Sequence, residues 1–171
     1  YPLIYPLTGW LKVFGVSALS ARSLMVLFII AFLFASYVLA KRLFGRELAL
    51  GALALVATLP TLYGNGKTVL GEVPGLMYLV LFLICINIAV SSTARKHLWL
   101  LLAGLLAGLC VVTKPTFLVL VLAIAVGAFI AWRRKTLSGK EVLIAVAAGA
   151  IPISLWLVLQ FQGGDSLTSI L

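Results

Sequence analysis

Acidic residues are scarce in this 171-residue chain: Glu47, Glu72, Glu141 and Asp165 face thirteen lysines and arginines. There is one histidine, His97, and only two cysteines, Cys85 and Cys110. These shortages exclude much chemistry. A zinc site needs His and Cys ligands at short spacing, and a Ser-His-Asp arrangement needs a histidine with an acid to orient it. Neither pattern is present. Both cysteines lie inside apolar runs, so no structural disulfide is expected. Charge of either sign is low: 10% of residues are charged and 64% are hydrophobic, against roughly 25% charged in soluble domains. So little polar surface cannot cover a water-soluble domain. The apolar stretches approach the ~20 residues that cross a bilayer as a helix, and they do not alternate as barrel strands do. The composition predicts an all-α, multi-pass integral membrane protein.

The net charge of +9 would suit nucleic acid, but the basic residues sit at the ends of apolar runs, where they set membrane topology. No nucleic-acid partner is expected. Six spans are expected, near 20–41, 48–62, 73–92, 98–112, 116–132 and 142–161. The fourth and fifth would form one overlong helix but for Thr113-Lys114-Pro115. Proline there removes a backbone donor, and the lysine seeks water or a partner. Six spans divide the cations unevenly. Lys41, Arg42, Arg46, Arg95, Lys96, Arg133, Arg134, Lys135 and Lys140 share one side; Lys12, Arg22, Lys67 and Lys114 share the other. The richer side is expected to be cytoplasmic. Residues 1–17, broken by Pro2 and Pro6, read as an amphipathic helix on the outer surface. Residues 18–162 hold the spans and 163–171 an outer loop, together one membrane domain with its membrane lipids.

Few polar groups remain unexplained. Glu47 and Glu141 stand at helix starts, where the helix dipole favours a carboxylate. Asp165 falls in the polar tail. Glu72 lies at the outer mouth before Val73-Pro74. It is either a dipole partner for the third span or a carboxylate in an outer cavity, serving as metal ligand, sugar-hydroxyl acceptor or base. A divalent metal is the one cofactor to consider, with Glu72 as its ligand. Lys67 and Lys114 lie on the outer side, where topology does not explain them. Lys114 has little polar company, and phosphate is a natural partner for a lysine point charge; Arg22 is positioned to join them. Gly64-Asn65-Gly66-Lys67-Thr68 resembles the end of a phosphate-binding loop, but Thr61 replaces the required glycine and no strand precedes it. Gly104 and Gly108 form a GxxxG packing face, and Asn87 reads as an interhelical contact.

Several segments, in order, resemble the polytopic GT-C glycosyltransferases. The nearest group is the dolichyl-phosphate-mannose–protein mannosyltransferase and aminoarabinose-transferase-like family. The segments are Tyr1-Pro2-Leu3-Ile4-Tyr5-Pro6, Phe14-Gly15-Val16-Ser17, Ala21-Arg22-Ser23-Leu24, the turn Ala40-Lys41-Arg42-Leu43-Phe44-Gly45-Arg46, Leu59-Pro60, Gly71-Glu72-Val73-Pro74, and Leu101 to Gly108 followed by Val112-Thr113-Lys114-Pro115. The resemblance implies transfer of a sugar from a polyprenyl-phosphate-linked donor to a lipid, glycan or protein acceptor. Transfer would occur at the extracytoplasmic face of a bacterial or archaeal plasma membrane. Lys114 matches the family's Thr-Lys position, Glu72 its second-loop acid and Arg22 its "alRl" arginine. With Lys67, the two cations would bind the lipid phosphate. The family's base precedes the Tyr-Pro helix, whereas no acid precedes Glu47 here. The resemblance therefore implies a catalytically incomplete fragment of a larger membrane domain. A transporter or flippase subunit and a non-catalytic membrane assembly protein are the competing readings.

Overall fold

The computed structural model describes residues 3–67, 69, 71–92 and 95–162. Among these there is no strand; the chain forms α1 (Ile4–Phe14), α2 (Ala18–Phe44), α3 (Arg46–Ala57), α4 (Pro60–Lys67), α5 (Glu72–Ser91), α6 (Lys96–Thr113), a 3₁₀ turn (Pro115–Leu118), α7 (Val119–Arg133) and α8 (Gly139–Gln162). The expected surface-helix residues Tyr1 and Pro2, and the expected outer loop 163–171 with Asp165, lie outside the described residues.

Five helical segments are long and apolar enough to cross a membrane: Ala18–Phe44, Glu72–Ser91, Lys96–Thr113, Thr116–Arg133 and Gly139–Leu159. The protein is a multi-pass helical membrane protein. The expected second span, 48–62, is not one helix. It divides at Thr58-Leu59 into α3 and α4, because Pro60 cannot donate and disfavours helical backbone in the residue before it. Carbonyls freed at the break need donors, the more so in an apolar setting. The Thr58 hydroxyl donates to Leu55 O at 2.9 Å and the Tyr63 hydroxyl to Ala57 O at 2.5 Å. At ~18 Å, α3 alone is shorter than a ~30 Å hydrocarbon core. Together α3 and α4 return the chain from the far end of α2 to its beginning, where Leu62 packs with Met25, Ile29, Phe32, Val73 and Met77.

The other expected spans appear with shifted ends. Lys114 adopts extended backbone (φ −156°, ψ 139°) and stops α6, so the chain reverses at Thr113-Lys114-Pro115. α2 and α5 run in the same direction, with Arg42 Nε donating to Asn87 Oδ1 at 3.1 Å near their ends. α6 and α8 also run together, and here the GxxxG face acts. A Cβ on Gly104 would lie 2.1 Å from the Ala145 carbonyl oxygen, and one on Gly108 2.3 Å from that of Gly149. Only glycine permits backbones so close. α7 contributes no buried residue. Both cysteines are buried and free; the Cys110 thiol donates to Gly75 O at 3.3 Å, tying α6 to α5.

These directions sort the ion-bearing groups into two ends. One holds α1, Arg22, the end of α4, Glu72 and Lys114. The other holds Arg42, Lys96, Arg133, Lys140 and Glu141. α1 packs on the start of α2, where Trp10 Nε1 donates to Ser23 Oγ at 3.0 Å and the Ser20 hydroxyl to Phe14 O at 3.1 Å. Ile4, Tyr5, Val13 and Phe14 remain exposed on it, as an apolar face turned to lipid would be.

Candidate functional site

Glu72 opens α5 in its first turn, directly before the buried Val73-Pro74 pair. Pro74 is tolerated there because amide groups of a first helical turn have no intrahelical acceptor, so its missing N–H costs nothing. Gly71, ahead of Glu72, lies against the end of α6: a Cβ on it would come 2.9 Å from the Thr113 carbonyl oxygen. That approach brings the start of α5 beside Lys114. Gly75 completes a second GxxxG with Gly71; a Cβ there would lie 2.2 Å from the Phe117 ring, so the ring of the 3₁₀ turn rests against bare helix backbone. The two glycines fix the turn that carries Lys114 onto the turn that carries Glu72.

The consequence is an ion pair between Lys114 Nζ and Glu72 Oε1, joining residues 42 apart in sequence. The side chains are unequally accessible: 36% of Lys114 is exposed and 22% of Glu72. Glu72 Oε2 is buried and has no hydrogen-bond partner among the described residues. A carboxylate can accept at both oxygens, and leaving a buried one unused is costly. The pair thus presents an approachable ammonium backed by a carboxylate with spare acceptor capacity.

Of the four residues singled out by sequence, the structure brings these two together. Arg22 is exposed on α2 and makes no ion pair among the described residues. Lys67 ends α4 at the same end of the bundle, but its side chain lies outside the described atoms. No three His, Cys, Asp or Glu side chains come together among the described residues. A divalent cation takes several oxygen ligands, with carboxylates supplying the charge. Glu72 is the one described acid at this end, and Lys114 already neutralises it. The described residues thus offer a cation one carboxylate at this end, already paired with Lys114.

Sequence reading missed Gly71-x-x-x-Gly75, although the motif is the one recognised at Gly104 and Gly108. It also missed a second ion pair among the described residues, Lys96 Nζ to Glu141 Oε1 at 2.8 Å, at the opposite end. There Ser138 and Glu141 form a reciprocal cap: Ser138 N–H donates to Glu141 Oε2 at 2.8 Å, and Glu141 N–H to Ser138 Oγ at 3.3 Å. The Ser-x-x-Glu spacing is the signal for that cap.

In comparisons with known proteins, the family model described as dolichyl-phosphate-mannose-protein mannosyltransferase matches residues 3–158 of this chain. Neither the curated proteins nor the solved structures contain a match to it.

Proposed function

The chain belongs to the dolichyl-phosphate-mannose-protein mannosyltransferase family, membrane glycosyltransferases of the GT-C type, and from that premise we propose that it transfers a sugar from a polyprenyl-phosphate-linked donor to an acceptor on the extracytoplasmic face. In such a reaction an acceptor hydroxyl attacks the anomeric carbon. The bond from that carbon to the phosphate oxygen breaks, and its electron pair leaves with the lipid phosphate. Negative charge grows on that oxygen, so a fixed cation beside it lowers the barrier.

Lys114 is the group for that task. It stands at a helix break at the end of the bundle and is approachable. Its resting partner, Glu72, is a carboxylate for which a phosphate can substitute. The incoming phosphate draws Lys114 away from Glu72. The freed carboxylate then accepts a hydroxyl of the sugar, at Oε1 or at the otherwise unused Oε2. Lys67 and Arg22 add positive charge at the same end and guide the anionic donor there. The acceptor proton passes to a base outside the described residues, since their other acids, Glu47 and Glu141, belong to the opposite end. The lipid tail lies along the apolar helices. The single observation that carries the proposal is the Lys114–Glu72 pair at one end of the bundle, within a chain of this family.

Donor screening of the intact protein in membranes tests it. Labelled sugars on polyprenyl phosphate and the matching nucleotide sugars are offered with lipid, glycan and protein acceptors. Transfer from the polyprenyl-phosphate donor is expected. Transfer from the nucleotide sugar alone would overturn the donor assignment.

A further inference from the structure

A cavity of about 330 Å³ lies at the end of the bundle opposite Glu72. Three helix ends frame it. Lys96 comes from the start of α6, Trp132 from the end of α7, Lys135, Thr136 and Ser138 from the connecting turn, and Glu141 from the first turn of α8. The turn is firmly built. Thr136 N–H and Leu137 N–H both donate to Ala131 O, at 3.0 and 3.3 Å, and Lys135 N–H donates to Trp132 O at 3.0 Å. Leu137 is buried with Ala89 and Leu100. Backbone donors in the turn are therefore used, and the cavity's free chemistry belongs to side chains.

That chemistry is cationic. Glu141 is spent on Lys96 and on the Ser138 N–H. Lys96 gives Glu141 one ammonium proton and Thr136 O another at 3.5 Å, which leaves a third. Lys135 is exposed and makes no ion pair among the described residues. It occupies the left-handed region, φ 57°, a conformation few non-glycine residues adopt. Arg133 is turned away, over the Phe129 ring at 5.4 Å. Arg134 and Lys140 flank the site in sequence, so positive charge outweighs the one neutralised acid.

Apolar surface continues from the cavity. The Trp132 ring in its wall is half exposed, as suits an indole at a membrane interface. Along α7, Val119, Leu122, Val126 and Phe129 are all exposed and form one stripe at helical spacing. A cationic hollow at the boundary, continued by an uncovered apolar stripe, fits a molecule with a phosphate head and acyl chains. We propose that this cavity binds an anionic phospholipid of the adjoining leaflet. The headgroup phosphate would sit on Lys135 and the spare proton of Lys96, and the chains along α7. The site is distinct from the Lys114–Glu72 pair and does not depend on the transfer reaction.

Vesicles holding phosphatidylcholine and phosphatidylglycerol in equal amounts provide the test. The intact protein is extracted from them in mild detergent, and its retained lipids are counted by native mass spectrometry. Phosphatidylglycerol should be enriched. Lys135→Gln should cut that enrichment roughly five-fold, the worth of one lysine at an anionic membrane surface. Arg46→Gln, a cation at the same end but outside the cavity, should leave it in place. Millimolar inorganic phosphate should not displace the lipid. Equal retention of the two lipids, equal losses in the two variants, or complete displacement by inorganic phosphate would each overturn the proposal. Lys135 is exposed and makes no ion pair among the described residues, so its substitution leaves the fold intact.

Discussion

Among the described residues the bundle carries one lysine–glutamate pair at each end, and the two are built for different ends. Glu141 is saturated: Lys96 takes one oxygen and the Ser138 N–H the other, and the cap closes α8. Glu72 opens α5 with no side-chain cap in place, gives one oxygen to Lys114 and keeps the other buried without a partner among the described residues. The Lys96 pair joins the starts of two helices that run side by side. The Lys114 pair instead spans a break, where a lysine in extended backbone meets the first turn of another helix. The same two functional groups thus serve as a structural clasp at one end and as an arrangement with unused capacity at the other. Saturation, rather than the presence of an ion pair, separates a helix cap from a candidate site.

The comparison first requires that the ends lie on opposite sides of the membrane. Cysteines placed singly at positions 67 and 135 should label with an impermeant maleimide from opposite faces, an all-or-none outcome; labelling from the same face would break the comparison at its root. Lys114→Ala is expected to lower sugar transfer roughly a hundred-fold or more, the scale for losing one group that stabilises a developing oxyanion. Membrane insertion, measured by fractionation, should be unchanged. Gly108→Val tests the α6–α8 contact, since even its Cβ would meet the Gly149 carbonyl oxygen at 2.3 Å. Overpacking of this kind costs about 1–3 kcal/mol, read as a lower midpoint of thermal unfolding in detergent. The smallest effect belongs to the saturated end: Ser138→Ala removes a helix cap, with a loss of about 1 kcal/mol in stability.

Much of this fold was legible because membrane helices announce themselves by length and hydropathy. The reversal at Thr113-Lys114-Pro115 was legible too, since proline and a charge coincide where a single helix would be too long. The second span was misread. Hydropathy summed across 48–62 does not register that Pro60 breaks the backbone hydrogen-bond ladder, and the structure shows α3 and α4 instead. Gly104 and Gly108 were recognised as a packing face, whereas Gly71 and Gly75 escaped notice because they straddle a loop and a helix start. Glu72 and Lys114 could be placed at one end by counting spans. Their contact across 42 residues could not, because it depends on how closely two glycines let α5 approach α6 and the following turn. The partner of Glu141 was hidden for a similar reason: charge patterning marked a helix start but not which lysine would reach it.

The claim that Lys114 receives the lipid phosphate while Glu72 holds its place has a direct measurement. Binding of polyprenyl phosphate to the intact protein is compared for Lys114→Ala and Glu72→Gln, with transfer assayed in parallel. The account predicts that Lys114→Ala loses binding. Glu72→Gln should bind as tightly or more tightly, because a competitor for the ammonium is gone, yet transfer poorly because the sugar contact is lost. Undiminished binding of polyprenyl phosphate by Lys114→Ala would contradict it.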